Sequence, residues 1–261
     1  MLKVNDTNFY YEIQGSGQPI ILIAGYTCDY SMWKEIADHL SQRFQVLSFD
    51  NRAVGRTTDT LTALSVELMA QDVMAIAEQL NLKTPHIVGH SMGGAIAQVI
   101  AAQYPNKIGK LCLLNTAAKL RLATLGGLKS LLALRENNFE FNFIFETALP
   151  WMFGEVFLNN EEAIAAFKKA VLENPYPQSL TDQIRQFNVL EKFDGVGRLQ
   201  DIIAPTLVVC GMQDIIVLPM EAEYLVSGIV NAELVSVDCG HSIMYEAPGR
   251  LTEIVINFLS A

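Results

Sequence analysis

The stretch HIVGHSMGGAIAQVIAAQY, residues 86–104, limits what this chain can fold into more than any other. Its β-branched start reads as a strand and its small-residue continuation as a helix, with Gly89-His90-Ser91-Met92-Gly93 at the junction. A strand that turns into a helix over so few residues needs glycine where a Cβ would collide, and this is the role read for Gly89 and Gly93. Gly94, Ala95 and Ala97 extend the close approach into the helix. The expected unit is a strand, a sharp turn and a helix, with the Ser91 hydroxyl projecting over the carboxyl edge of a sheet.

The rest of the chain supplies a sheet for that edge. PIILIAG, FQVLSFD, GKLCLLN, APTLVVCG and AELVSV are short, continuously apolar runs of the kind buried on both faces by helices in a mostly parallel sheet. LKVNDTNFYYEIQG reads as a hairpin around Asn5 to Asn8, and SMWKEIADHL as a helix with Ser31 at its N-cap. SVELMAQDVMAIAEQL places Met69, Val73, Ile76 and Leu80 on one helical face. The fold class expected is therefore α/β. Between Thr116 and about Asp201 the strand signals stop, so residues 116–201 read as a helical cap inserted into a core made of 1–115 and 202–261. Within that cap Phe139, Phe141, Phe143 and Phe145 recur at the two-residue period of a strand, but the surroundings favour helix.

Composition excludes several functions. With 51% hydrophobic and 18% charged residues over 261 positions, the chain is a globular one able to bury a large core. Its formal net charge of −10, with no basic cluster, argues against nucleic-acid and anionic-membrane partners. The N-terminal residues lack the apolar run of a signal peptide, and no run approaches the roughly 18 residues that span a bilayer, so a cytoplasmic protein is expected. Cys28, Cys112, Cys210 and Cys239 show no metal-like spacing, so neither a metal nor an organic cofactor is expected. The partner implied is a small molecule, and the chain a monomer or homodimer.

A G-x-S-x-G match alone is weak, since a chain of this length carries one by chance roughly one time in ten; the strand before it and the helix after it make Ser91 a candidate nucleophile. A serine hydroxyl needs an imidazole to take its proton and a carboxylate to orient that imidazole. Of the four histidines, His39 lies on the polar face of an early helix, His86 opens the strand before Ser91, and His90 should point to the other side of the turn. His241 occupies a loop between the last strand and a terminal helix begun by Pro248. Asp214 follows the strand APTLVVCG and should emerge at the same carboxyl edge, whereas Asp201 precedes that strand and Asp238 lies three residues before His241 as a local competitor.

GHSMGG, CGMQD, CGHSIMYEAP and FDNRAVGRTTD occur in an order and spacing that resemble the α/β-hydrolase superfamily, its capped esterase-like branch, over essentially the whole chain. The resemblance implies an α/β-hydrolase fold and a triad of Ser91, Asp214 and His241 in the family's chain order. It also implies an oxyanion hole of two backbone N–H groups, those of Tyr26 and Met92, in which LIAGYTCDYSMW carries Ala24 where the family usually has His. In FDNRAVGRTTD, Ala53 and Thr57 replace the family's Gly and Ser, while Asp50, Arg52 and Gly55 read as structural, with Arg52 a buried ion-pair or hydrogen-bonding anchor.

Haloalkane dehalogenases and epoxide hydrolases in that superfamily carry Asp at the elbow, so Ser91 points instead to acyl transfer from an ester, lactone or thioester. Meta-cleavage C–C hydrolases, which typically have Asn where His90 stands, are the alternative enzyme; a perhydrolase or enol-lactonase would use the same triad, and a ligand-binding receptor-like protein would share the fold. The substrate pocket is expected under the cap, lined by some of Phe139, Phe141, Phe143, Phe145, Trp151, Met152 and Phe157.

Overall fold

The computed structural model describes residues 1–261. Strands β1 (Leu2–Val4) and β2 (Thr7–Phe9) pair as a small antiparallel ribbon. Seven further strands, β3 (Tyr11–Gln14), β4 (Pro19–Ile23), β5 (Gln45–Phe49), β6 (His86–His90), β7 (Leu111–Leu114), β8 (Thr206–Gly211) and β9 (Ala232–Val237), form one sheet. Its order is β3-β5-β4-β6-β7-β8-β9, and only the β3–β5 pairing is antiparallel. The N-terminal hairpin is thus shorter than its sequence pattern: the ladder breaks at Tyr10, whose N–H goes to Thr57 Oγ1 at 3.1 Å, and the remainder crosses to the main sheet as β3.

The continuously apolar strands are explained by burial on both faces. Ile21, Ile23 and Ile87 pack on one side with α2 (Val66–Gln79) and α3 (Met92–Gln103). Ile20, Leu22 and Val88 pack on the other, with α1 (Lys34–Leu40) and the terminal helix. Successive side chains of a strand point to opposite faces, so a strand serving two cores must be apolar at every position.

Helix starts follow local acceptors. Ser65 caps α2 by accepting the Leu68 N–H at 3.1 Å. On α2 Met69, Val73 and Ile76 are buried, and Leu80, just past the helix end, is half-buried. The expected Ser31 cap is corrected: the Asp29 carboxylate takes the Ser31 N–H at 2.8 Å and caps a 3₁₀ turn, Tyr30–Trp33, from which α1 continues. An ionised acceptor two residues earlier captures the free amides first.

Between β7 and β8 run α4 (Leu122–Glu136), α5 (Phe141–Met152), α6 (Glu155–Leu158), α7 (Glu161–Leu172) and α8 (Leu180–Lys192). The chain then returns through a 3₁₀ turn, Val196–Asp201, whose Leu199 joins the core beside α3. The core is completed by α9 (Pro219–Gly228), α10 (Ile243–Glu246) and α11 (Pro248–Ser260). No helix is long and apolar enough to cross a membrane.

The order reversal that matters lies at β4: its successor β5 pairs on one side and β6 on the other. Loops leaving β4 and β6 at their carboxyl ends therefore separate and open a crevice, the usual ligand position in such sheets. One wall of that region is braced by Arg52, whose guanidinium meets Asp72 through Nε–Oδ2 at 2.5 Å and Nη2–Oδ1 at 2.9 Å, and Asp6 at 2.8 Å. Asp50 accepts the N–H groups of Tyr30 and Arg56, although burial still pushes its carboxyl up to about 6.

Candidate active site

Ser91 sits between β6 and α3 with φ 53° and ψ −116°, a left-handed conformation that costs a non-glycine residue on the order of 1–3 kcal/mol. Its surroundings enforce it. A Cβ on Gly89 would collide with the Gly93 carbonyl, and one on Gly93 with the Ile23 carbonyl. The Ser91 N–H is held by Leu114 O at 2.9 Å, and its carbonyl accepts Thr116 Oγ1–H at 2.7 Å.

Three predicted side chains meet here. His241 Nε2 lies 3.0 Å from Ser91 Oγ, and His241 Nδ1 lies 2.7 Å from Asp214 Oδ2. A carboxylate only accepts, so Nδ1 carries the hydrogen, and in the neutral ring Nε2 is left to accept from the serine hydroxyl. Asp214 follows β8, is 1% exposed, and is fully engaged: Oδ1 accepts the N–H groups of Ile216 at 2.8 Å and Val217 at 2.9 Å, and Oδ2 also accepts Asn115 Nδ2–H at 3.0 Å. Burial alone would raise this carboxyl. His241 opposite it, with the hydrogen bonds from His241, Asn115 and Val217, outweighs burial and holds it below the usual carboxylate range. The local competitor Asp238 is exposed and takes Gln213 Nε2–H at 2.6 Å, while Asp201 is exposed in the 3₁₀ turn before β8.

The loop after β4 flanks the serine: a Cβ on Gly25 would lie 3.3 Å from Ser91 Cβ. The backbone N–H groups of Tyr26 and Met92 have no hydrogen-bond partner within the chain. Two unengaged amides beside a serine hydroxyl can receive a developing oxyanion.

The residues of the insert divide. Trp151 packs on Ala117, Ile216 and Val217, the last two being the residues whose amides hold Asp214, and its ring lies against Gly127 of α4. Met152 presents its carbonyl to the Ser242 N–H at 2.9 Å, next to His241, while its side chain joins the insert's apolar cluster. The other five pack with one another and with their neighbours in the insert. Phe139 and Phe143 stack on each other at 5.4 Å, about half exposed, and Phe141 packs on Phe145. Phe145 and Phe157 are buried with Leu149 and Phe153 in a cluster of the insert's own. In a helix a period of two becomes i, i+4 pairs on separate faces, so the aromatics find each other before they reach any cleft. That cluster leans on the core through Phe153 and Phe167, which both contact Tyr245 of α10.

Four residues near the site carried no recognised pattern. Asn115 ties Asp214 to the Gly240 carbonyl. His90 does not turn away from the site: its Nε2–H donates to the His241 carbonyl at 2.9 Å, and burial, then His241 nearby, lowers its imidazole to about 3. Glu246 accepts the N–H groups of Gly240 at 3.0 Å and Gly154 at 2.8 Å, pinning the insert to the residue before His241. Gln186 bridges α8 to the loops after β4 and β5. The signal available for Glu246 was its place in CGHSIMYEAP; nothing in local spacing marks the others. No group of three or more His, Cys, Asp or Glu side chains is arranged to hold a metal ion, and all four thiols are free.

A family model described as alpha/beta hydrolase fold matches residues 18–248. The chain belongs to the α/β-hydrolase-fold family. It is 28% identical over 259 residues, 97% of this chain and 95% of the other, to a protein of Azorhizobium caulinodans named as a carbamate hydrolase, RutD. Among solved structures it resembles the enol-lactonase of Burkholderia xenovorans LB400, with TM-score 0.87, 23% identity and coverage of 99% and 98% of the two chains. A thermophilic esterase of Thermogutta terrifontis superposes with TM-score 0.83 and 26% identity, covering 97% and 93%.

Proposed function

We propose that the protein is a serine hydrolase cleaving a carboxylic ester, lactone or thioester of a small apolar acyl group through an acyl-enzyme, with Ser91, His241 and Asp214 as its triad. The observation that carries this reading is the hydrogen-bonded line from Ser91 Oγ through His241 to a buried, charged Asp214. His241 Nε2 takes the hydroxyl proton as Ser91 Oγ bonds to the carbonyl carbon, and Asp214 stabilises the imidazolium. The carbonyl oxygen becomes an oxyanion held by the N–H groups of Tyr26 and Met92, worth several kcal/mol to the transition state. Collapse breaks the bond to the leaving group, which departs with the proton from His241; water then repeats the sequence and releases the acid. The inserted helices act as the cap over this edge, with Trp151 on the pocket wall.

A carbamate is attacked at its carbonyl in the same way, and the Azorhizobium relative's name favours including it as a second reading. The test is a panel of p-nitrophenyl esters, lactones, carbamates and ring-cleavage diketones on purified wild type and Ser91→Ala. Ester turnover that falls by about 10⁵–10⁶ in a folded Ser91→Ala protein is expected, by the scale of losses on removing a triad nucleophile. Wild-type rates in that variant would sink the serine reading, and diketone cleavage without esterase activity would favour the C–C alternative.

A further inference from the structure

The loop carrying Tyr26 has little to hold its shape from within. After β4 ends at Ile23 the chain makes one internal backbone bond, Cys28 N–H to Gly25 O at 3.3 Å, and Thr27 sits at φ 64°. A β-branched residue in the left-handed region is a strained one, kept there only by its surroundings. Two side chains hold the loop's backbone from outside: Asn51 Nδ2–H donates to the Ala24 carbonyl at 3.0 Å, and one side chain of the insert reaches Thr27. Gln186 of α8 is 0% exposed, and its Oε1 accepts the Thr27 N–H at 3.0 Å across 159 residues of sequence.

That glutamine is itself clamped. Its Nε2–H donates to the Arg52 carbonyl at 2.8 Å, on the residue whose guanidinium is locked between Asp72 and Asp6. Its Oε1 also accepts Gln178 Nε2–H at 3.0 Å, and Gln178 Nε2 reaches the Ala53 carbonyl at 2.7 Å. The amide head therefore has both its oxygen and its nitrogen engaged, and the oxygen cannot swing away from Thr27 without losing the Arg52 bond. A buried amide with fixed partners is a rigid gauge, because leaving any of them unpaired costs roughly 1–3 kcal/mol.

We infer that Gln186 is a positioning residue for the oxyanion hole: by holding the Thr27 N–H it fixes the Tyr26–Thr27 peptide plane, and through the Tyr26 Cα it limits the rotation of the adjoining Gly25–Tyr26 plane, whose N–H is to face the reacting carbonyl. The inference rests on the Ser91 reading of the site. It makes the insert part of the chemical step, through a bond made only when α8 is seated. A residue that merely fastened α8 would change stability and substrate binding; one that aims an oxyanion donor changes the transition state alone.

The experiment compares wild type, Gln186→Met, Gln186→Glu and Gln178→Leu on a p-nitrophenyl ester, with Ser91→Ala as control. It measures kcat and KM, Ki for a trifluoromethyl ketone that forms the tetrahedral adduct, and Tm. Gln186→Met is expected to lose on the order of 10² in kcat, the scale of one mis-aimed oxyanion donor, with KM within threefold and Ki raised by a factor close to the loss in kcat. Gln186→Glu keeps an oxygen for the Thr27 amide but loses the donor to the Arg52 carbonyl, so it should lose less kcat than Gln186→Met. Gln178→Leu, a milder loosening that serves if the methionine variant does not fold, should raise Ki and lower kcat together by several-fold. Folded Gln186→Met with wild-type kcat and Ki, a glutamate variant as slow as methionine, or losses confined to Tm and KM would each overturn the inference. Activity persisting in Ser91→Ala would instead overturn the reading on which it rests.

Discussion

The carboxyl edge of the sheet and the helices inserted between β7 and β8 face each other but are built to different standards. At the sheet edge each candidate group is over-determined: Ser91 is wedged by two glycines, Asp214 accepts four hydrogen bonds, and the His241 carbonyl is held by His90. In the insert, α7 buries no residue fully, and the apolar cluster has four buried members against 36 and 23 in the two cores flanking the sheet. Its α8 joins the larger core through Val189 and Leu190, and α4 packs on that core through Leu125 and Leu128, whereas α5, α6 and α7 attach more sparsely, through Trp151, the Met152 carbonyl, the Gly154–Glu246 bond and the rings against Tyr245. Side chains of the sparsely attached helices α5 to α7 can change with less effect on the Ser91, His241 and Asp214 geometry than those at the sheet edge.

The most forceful way to break this contrast is at the acid. Asp214→Asn leaves the shape of the site but offers His241 an amide in place of a carboxylate, favouring the wrong tautomer and leaving an imidazolium unpaired. A fall in kcat on the order of 10⁴ is expected. Asp238→Asn, three residues from His241 yet bonded only to Gln213, should change kcat less than twofold. Kinetics of both variants on one ester decide the assignment, and the reverse ranking would move the acid to Asp238.

A smaller effect is expected from Trp151 of the insert, and it should appear in substrate preference instead of in the chemical step. Trp151→Ala removes the aromatic wall beside Ile216 and Val217, whereas Phe143→Ala removes one of a pair stacked at the surface. Each buried methylene contributes about 0.8 kcal/mol, roughly fourfold, so wild-type kcat/KM should climb from acetate to hexanoate esters. Trp151→Ala should flatten or displace that climb, and Phe143→Ala should leave it within twofold. A displaced profile in Phe143→Ala would return the phenylalanine row to the pocket.

The same contrast governs what was legible in the sequence. The elbow could be read because its constraint is local: strand, glycines and small-residue helix follow in one stretch, and Ser91, Asp214 and His241 stand where loops leave strands. The sheet order could not be read, and neither could the break of the hairpin at Tyr10, because both depend on partners far along the chain. Asn115, His90 and Gln186 stayed hidden for a related reason: each acts through hydrogen bonding to a group at least 99 residues away. The phenylalanine row was legible in its period but not in its packing partners. Apolar side chains on a helix state that they will be buried, and only the fold states against what.

The smallest effect, and the one that isolates the sheet edge, is in acid stability. His90 is buried and held neutral, with its imidazole lowered to about 3 by burial and by His241. In the unfolded chain the ring titrates at about 6.5. Between those values the unfolded state binds a proton that the native state does not, so His90 contributes stability that is complete above about pH 6.5 and is lost as pH falls below it. His86, lowered to about 4 by burial and Lys110, acts in the same direction. Asp50 and Glu246, raised by burial, act in the opposite one, since the native state then binds protons at a pH where the unfolded state has released them. The wild-type curve alone therefore mixes the signs, and the difference from His90→Asn separates them. Asparagine keeps a donor for the His241 carbonyl and cannot titrate. Its stability deficit relative to wild type should shrink by up to about 1.4 kcal/mol per pH unit on going from pH 6.5 toward pH 5 in urea unfolding. A deficit that stays constant over that interval would mean that His90 takes up its proton in the folded protein, and that the layer behind His241 is less sealed than the one that holds Asp214.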